Sequence, residues 1–334
     1  MDRKVKWGVL GVANIGVEKV IPAMQRGDVS EIAAIASRDP ERARAAAREL
    51  NIAKAYGSYE DLLADPQIEA IYNPLPNELH VPWTIKALEA GKHVLCEKPI
   101  GLSAADAKTL IQARDRAGRL VGEAFMVRFH PQWRRTRELV NAGEIGSASA
   151  IQTFFSYHLV DPQNVRNRPP GGGGLYDIGC YAVLTARYLF GAEPVRVAAT
   201  LDRDPKFGTD RLGSAILEFP GGRHLTFSVG TQLAGHQRVT IVGDKGRIEV
   251  LVPFNPLPAA PTKILIDSGK DLFGGGQRFE EFAACDQYTL QGDAFSRAIL
   301  GKAPLDFPLE DAVLNMRVID ALFRAAERGS WETP

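Results

Sequence analysis

Short apolar runs alternate with polar, helix-forming stretches through the first third of the chain. Val5–Leu10 is the first run, followed by glycines and a helix-compatible stretch from about Ile15. Glu31–Ser37 is the second. Asp39-Pro40 then opens a segment to Leu50 that is rich in Arg, Ala and Glu, a strongly helix-forming composition. Tyr59–Leu63 reads as a short helix and Ile68–Tyr72 as a buried strand. Glu78–Ala90 is a helix stopped by Gly91, His93–Cys96 a strand, and Ser103–Ala117 a helix stopped by Gly118. Strands that are apolar nearly throughout, separated by helices of about three turns, predict a parallel sheet covered on both faces.

Near Leu120 the pattern changes. Leu120–Phe129 is strand-like, Gln132–Asn141 helical and Ala148–Tyr157 strand-like again. A polar loop rich in proline and glycine runs from Asp161 to Gly174, and Leu175–Phe190 is apolar enough for a buried helix. Val195–Leu201, Ala215–Phe219, His224–Gly230, Val239–Val242 and Arg247–Val250 follow as β-type runs separated by turn signals, which predicts a mostly antiparallel sheet. Leu309, Ala312, Val313, Met316, Ile319, Leu322 and Phe323 fall at helical spacing after Pro308, the mark of an amphipathic helix. The expected division is therefore 1–122, 123–308 and a C-terminal helical segment, 309–334, packing back on the first domain.

Composition narrows the partners. A chain of 334 residues exceeds what one hydrophobic core usually serves, so two domains are expected. Forty basic and forty acidic side chains cancel, which leaves no field to draw the protein to nucleic acid or an anionic membrane. The three cysteines, Cys96, Cys180 and Cys285, are scattered and suit a reducing compartment better than a disulfide framework. The opening MDRKVKWGVLG goes straight into a strand without a signal-peptide pattern, so a cytoplasmic protein is expected. Small molecules are the expected partners. The histidines show no ligand spacing, and no metal is expected.

The first turn carries chemistry. In Gly8-Val-Leu-Gly11-Val-Ala13-Asn14-Ile15-Gly16 the G-x-G-x-x-G register falls on Gly11, Ala13 and Gly16. The first glycine makes the tight turn, a small second residue lets backbone N–H groups approach a pyrophosphate, and the third lets helix and strand pack closely. The alternative is a glycine turn without a ligand; the strand before it, the helix after it and the surrounding βαβ pattern favour the dinucleotide. At the end of the second run the residues are Ala36-Ser37-Arg38-Asp39. Ser37 and Arg38 suit a 2′-phosphate, whereas Asp39 before Pro40 reads as a helix N-cap. NADP is therefore expected, with NAD as the alternative.

Two further segments stand at strand ends, where ligands of open α/β sheets bind. They are Asn73-Pro74-Leu75-Pro76-Asn77-Glu78-Leu79-His80 and Cys96-Glu97-Lys98-Pro99. A lysine held extended by the following proline can act at the crevice as a donor or proton carrier; a surface lysine before a turn is the competing reading. In Gly171–Tyr181 glycines feed a helix carrying Asp177, with Tyr181 four residues on, so carboxylate and phenol share one face. A helix cap and a core aromatic are the structural alternatives.

Together these residues resemble the Gfo/Idh/MocA oxidoreductase family, and the resemblance covers essentially the whole chain. It rests on the glycine turn with Ala13-Asn14-Ile15, the Asn73–His80 segment, Glu97-Lys98-Pro99 and the later Asp177…Tyr181 pair, in that order. Many members carry histidine where Tyr181 stands. The tyrosine form is similar to the branch with glucose–fructose oxidoreductase, NADP-dependent D-xylose dehydrogenase, aldose–aldose oxidoreductase and dimeric dihydrodiol dehydrogenase.

The resemblance implies an α/β protein: an N-terminal Rossmann domain, then a C-terminal α/β domain whose large open, mostly antiparallel sheet serves as the interface of a homodimer or homotetramer. It implies Lys98, Asp177 and Tyr181 as catalytic residues that also bind substrate. Gly11, Ala13, Asn14, Ile15, Ser37, Arg38, Pro74, Leu75, Asn77, His80, Glu97, Lys98 and Tyr288 would bind the cofactor. Arg128, with His130 beside it, and the loop arginines Arg166 and Arg168 are further candidates for the substrate pocket, against structural or solvated readings of each.

The expected activity is NADP(H)-dependent hydride transfer at C1 of an aldose, giving a lactone, by an enzyme of a kind able to keep its cofactor bound between turnovers. The alternatives are a reductase or dehydrogenase of a diol, dicarbonyl or keto-sugar and, in a different class, a non-catalytic NADP-binding sensor.

Overall fold

In the computed structural model, which describes residues 3–334, the first third of the chain builds a six-stranded parallel sheet. Its strands are Val5–Leu10 (β1), Ser30–Ala36 (β2), Lys54–Tyr56 (β3), Ala70–Asn73 (β4), His93–Cys96 (β5) and Val121–Glu123 (β6), in the order β3-β2-β1-β4-β5-β6. Successive residues of β1 and β4 are buried whichever way they point, so both faces of the sheet are covered. The covering helices are Ile21–Gln25 (α1), Pro40–Glu49 (α2), Tyr59–Ala64 (α3), Asn77–Glu89 (α4) and Ala104–Ala117 (α5). Strand order reverses between β1 and β4, which makes their carboxyl ends the place for a ligand.

The second sheet has eight strands: Ala148–His158 (β7), Arg196–Arg203 (β8), Asp210–Phe219 (β9), Arg223–Gly230 (β10), Gln232–Gly243 (β11), Arg247–Val250 (β12), Thr262–Asp267 (β13) and Gln277–Phe282 (β14). They run in the order β14-β13-β12-β11-β7-β10-β9-β8, and every neighbouring pair except β7 with β10 is antiparallel. Helices Pro131–Asn141 (α6) and Cys180–Phe190 (α7) belong with this sheet. Phe155, Tyr181 and Phe254 form an aromatic cluster beside it, with ring centroids 4.7–6.0 Å apart. No helix among the described residues is long and apolar enough to cross a membrane.

The two compact units do not follow the expected division. One is the chain up to Met126 together with Asp286–Val313; the other is Val127–Cys285 together with Leu314–Pro334. Helix Gln287–Ile299 (α8) belongs to the first unit, with Phe295 in its apolar core and polar side chains bonded to it. Asp293 accepts the N–H groups of Asp28 and Val29 at 3.0 and 3.3 Å, and Trp7 donates its indole N–H to Ser296 at 3.0 Å. Helix Leu309–Arg328 (α9) passes from the first unit into the second. Beyond Val313 the helix belongs to the second unit. There Asn315 donates to the carbonyl of Cys180 at 3.4 Å, the ring of Phe323 lies 4.9 Å from that of Tyr176, and Glu332 pairs with Val197.

Other differences are local. Only Val121–Glu123 of the expected strand Leu120–Phe129 is extended, and Met126–Phe129 is a 3-10 turn. The neighbour, β5, ends at Cys96, opposite Glu123, so the ladder runs out there.

Candidate active site

Gly11 follows β1 with φ +84°, a conformation that side chains disfavour. Its N–H donates to Ala36 at 2.8 Å, pinning the turn to the end of β2. A Cβ at Gly11 would stand 3.0 Å from a methyl of Leu75, and one at Gly16 would meet Pro74 and Tyr72 at 3.7 Å. The helix starts at Asn14, widens into a π turn over Gly16–Val20 and continues as α1. No side chain caps this start at Ile15. Ala13 and Ile15 are half-buried and Asn14 is exposed. Uncapped N–H groups behind a glycine turn favour an anion, so the residues present fit the pyrophosphate of a dinucleotide.

At the end of β2, Ser37 is buried and its hydroxyl accepts the N–H of Asp39 at 3.1 Å. Asp39 accepts from Glu41 and Arg42 at 2.9 and 3.3 Å and so caps α2, as its sequence position suggested. Arg38 is exposed. Arg42, which sequence reasoning missed, reaches back from α2 to the carbonyl of Val12 at 3.3 Å. Ser37 and Arg42 thus place a hydroxyl and a guanidinium near the end of β2, beside the glycine turn, with Arg38 next to Ser37 in the chain.

The ends of β4 and β5 are tied together. Tyr72 donates its phenol to Glu97 at 2.7 Å, and the N–H of Glu97 donates to Asn73 at 3.0 Å. Burial, then the Glu97 charge, hold the Tyr72 phenol well above its ordinary pKa, and Tyr288 adds to the effect, which places α8's first turn near it. The Asn73 amide donates to the carbonyl of His80 and to Thr84, and its oxygen accepts from Leu75. Pro74 and Leu75 are buried, and Asn77 opens α4 half-buried.

Lys98 is half-buried, its backbone N–H donating to Glu97 at 3.3 Å. Glu123, at the end of β6, braces the same loop by accepting the N–H of Ile100 at 2.8 Å. It too was missed by sequence reasoning.

The His80 ring is fully buried, with one nitrogen 2.7 Å from the carbonyl of Pro99 and the other 2.7 Å from that of Leu75. Burial, assisted by the nearby Lys98 cation, pulls its pKa down to about 4. Both ring nitrogens are engaged in holding the two loops together.

In the second unit the glycine run has a physical reason. The N–H groups of Gly172 and Gly173 donate to the carbonyls of Arg168 and Arg166 at 2.8 and 2.9 Å. A Cβ on Gly172 would lie 2.5 Å from the Arg166 carbonyl oxygen, and one on Gly173, at φ +113°, 2.0 Å from a carboxylate oxygen of Asp210. The run folds the arginine loop back on the helix start. There Arg166 donates to Asp177 at 3.0 Å and Tyr157, from β7, donates to the same oxygen at 2.5 Å. The Asp177 charge is the largest cause holding the Arg166 guanidinium up in pKa, and Tyr181 contributes as well. Burial, then Asp177, push the Tyr157 phenol up. Tyr157 is a third missed residue; it sits in an apolar strand run where a phenylalanine would read the same.

Tyr181, four residues further on, is buried among Phe155 and Phe254. The structure therefore brings Asp177, Tyr181 and Arg166 together in one unit, with Lys98 in the other. Arg168 is exposed and its side chain has no hydrogen-bond partner among the described residues. Arg128 is buried beside Trp133, Leu184 and Tyr188. His130 caps α6 by accepting the N–H of Gln132 at 3.2 Å, while its other ring nitrogen meets Cys285 Sγ at 3.4 Å. Among the described residues no three His, Cys, Asp or Glu side chains are grouped to hold a metal.

Comparison with known proteins follows the same division. Residues 5–125 match the model described as "Oxidoreductase family, NAD-binding Rossmann fold", and residues 133–249 match the "GFO/IDH/MocA C-terminal domain". The chain belongs to the Gfo/Idh/MocA oxidoreductase family. It is an oxidoreductase of that family, and its N-terminal unit is an NAD(P)-binding Rossmann domain.

An uncharacterised oxidoreductase, ORF334, of Rhizobium meliloti is 50% identical, over 98% of this chain and 99% of its own length. A D-xylose 1-dehydrogenase (NADP(+)) of Haloferax volcanii is 40% identical, over 97% and 98%. Among solved structures, KijD10, a 3-ketoreductase from Actinomadura kijaniata in complex with NADP and TDP-benzene, superposes with a TM-score of 0.90 at 28% identity, covering 97% of this chain and 98% of that one.

Proposed function

We propose that the protein is an NADP(H)-dependent aldose 1-dehydrogenase or aldose–aldose oxidoreductase. It would move hydride between the nicotinamide and C1 of an aldose, with lactone as the oxidised product. The observation that carries this reading is the Asp177 carboxylate, fixed by Tyr157 and Arg166 and one helical turn before Tyr181. Such a cluster presents acceptors and donors to a polyol and a phenol to the hydroxyl that loses its proton. Ser37, Arg38 and Arg42 favour a 2′-phosphate, hence NADP over NAD, and the NADP named for both the D-xylose dehydrogenase and KijD10 agrees.

Bound NADP supplies the hydride acceptor. Tyr181 takes the proton of the anomeric hydroxyl, the Lys98 ammonium stabilises the oxyanion that this exposes, and Asp177 orients the sugar by accepting hydroxyl hydrogen bonds. In this reading the proton-carrying role could equally fall to Lys98, with Tyr181 as the donor that stabilises the oxyanion. The exposed face of the second sheet around Thr200, Ser214, Ile216, Thr226 and Ser228 forms a broad hollow of small side chains. In this reading it pairs with a second copy, as a homodimer or homotetramer.

A keto-sugar reductase is the second reading, favoured by the structural likeness to a 3-ketoreductase. Lys98→Met and Tyr181→Phe test the chemistry common to both: each should lower turnover by about 10²–10⁴ while NADP still quenches protein fluorescence. Near-normal rates in both variants would remove the mechanism.

A further inference from the structure

Asp210 stands at the start of β9, outside every motif discussed so far, and is 1% exposed. One carboxylate oxygen accepts the N–H of Leu175 at 2.6 Å, and the other lies under Gly173 so closely that a Cβ there would sit 2.0 Å from it. Leu175 begins the π turn Leu175–Gly179 that carries Asp177 and leads into α7 with Tyr181. A buried carboxylate on the first N–H groups of a helix meets both their unsatisfied hydrogen-bonding capacity and the positive end of the helix dipole.

We propose that Asp210 is a positioning residue whose carboxylate fixes the start of the Asp177–Tyr181 helix. Through Gly173–Leu175 it sets where Asp177 meets Tyr157 and Arg166. It touches neither substrate nor cofactor, and its catalytic consequence rests on the proposed roles of Asp177 and Tyr181.

The groups facing Asp210 are Arg203 from β8, Tyr157 from β7 and, through Tyr157, Asp177 on the helix itself. Burial raises the Asp210 carboxyl to about 6, against the opposing pull of the Leu175 N–H and Arg203. The sign follows from the raised value. The folded protein favours the protonated acid, so this group's stabilising contribution is full below the unfolded value of 3.8 and is lost as pH rises through about 6. The ionised carboxylate is nevertheless the form with two anionic oxygens for the turn. Positioning and stability therefore pull in opposite directions, and that separates this role from a merely structural one.

Asp210→Asn keeps the shape but offers one acceptor and sets an NH₂ against the backbone donors. It should lower kcat at least tenfold with the KM for NADP unchanged. It should also remove an acid limb near pH 6 from the wild-type kcat/KM profile. A kcat within twofold of wild type, or an unchanged acid limb, overturns the proposal.

A second measurement needs neither activity nor the variant. Labelling with ¹³C-carbonyl glycine and ¹⁵N-leucine selects the amides of Leu102 and Leu175, the two leucines that follow glycine. The Leu175 resonance should titrate with a midpoint near pH 6; a flat response from pH 5 to 8 overturns the proposal even if the variant does not fold. If wild type turns over no sugar at all, the proposed function fails while this titration still judges Asp210.

Discussion

Two glycine-led turns open the two helices that matter here, and they solve the same problem in opposite ways. At Gly11 a positive φ swings the chain off β1 into a helix that passes through a π turn, and no side chain caps its start. At Gly173 a positive φ again leads into a π turn, but Asp210 fills the start from within. Helix N-termini attract negative charge wherever it comes from. The first turn leaves that attraction open, and in the proposed function a dinucleotide's phosphates take it; the second uses it on the protein's own carboxylate, in our proposal to place the Asp177–Tyr181 face. A glycine turn before a helix thus identifies a place where an anion is wanted, and only the surroundings say whose anion.

Alanine substitutions break this comparison most sharply. Gly173→Ala forces strain on the order of 1–3 kcal/mol and drives a methyl into the Asp210 carboxylate. It should cost more than tenfold in kcat and lower Tm clearly. Gly11→Ala carries the same kind of backbone strain at φ +84° but meets side chains no closer than 3.0 Å, a methyl of Leu75, so it should act chiefly on dinucleotide affinity with a smaller loss of Tm. Equal effects of the two variants on NADP affinity, measured by fluorescence titration, would erase the distinction. A finer probe is Arg42→Ala. Losing a charged contact of about 1.5–3 kcal/mol should raise the KM for NADP about ten- to a hundredfold and leave the KM for NAD nearly unchanged. A parallel rise for both cofactors would assign Arg42 to the glycine turn alone.

Much of the first unit was legible because its strands are short, apolar and punctuated by glycine, so Gly11, Ser37 and Lys98 could be placed at strand ends from sequence. What escaped was held by polar atoms across long separations. Helix α8 joins the first unit through Asp293 and Ser296, which contact residues more than 260 positions away. The edge strands β3 and β14 carry Lys, Gln, Arg and Glu rather than an apolar run.

Within the site, helical spacing put Asp177 and Tyr181 forward as a pair, and Asp39 was read as the cap it is. A loop histidine near a strand end, such as His80, looks the same from sequence whether it faces a ligand or two buried carbonyls. Tyr157, Arg42, Glu123 and Asp210 left no usable local signal, since each acts through one hydrogen bond to a segment distant in sequence or structure.

The central claim, NADP-dependent hydride transfer at C1 of an aldose, is tested most directly by absorbance at 340 nm. Purified protein is mixed with NADP⁺ and single pentoses or hexoses, and with NADPH and the matching lactones. A rise with at least one aldose, several-fold faster with NADP⁺ than with NAD⁺ and abolished in Tyr181→Phe, is the predicted result. No change with any aldose or lactone, together with NADPH consumption on a keto-sugar or dicarbonyl, would contradict it.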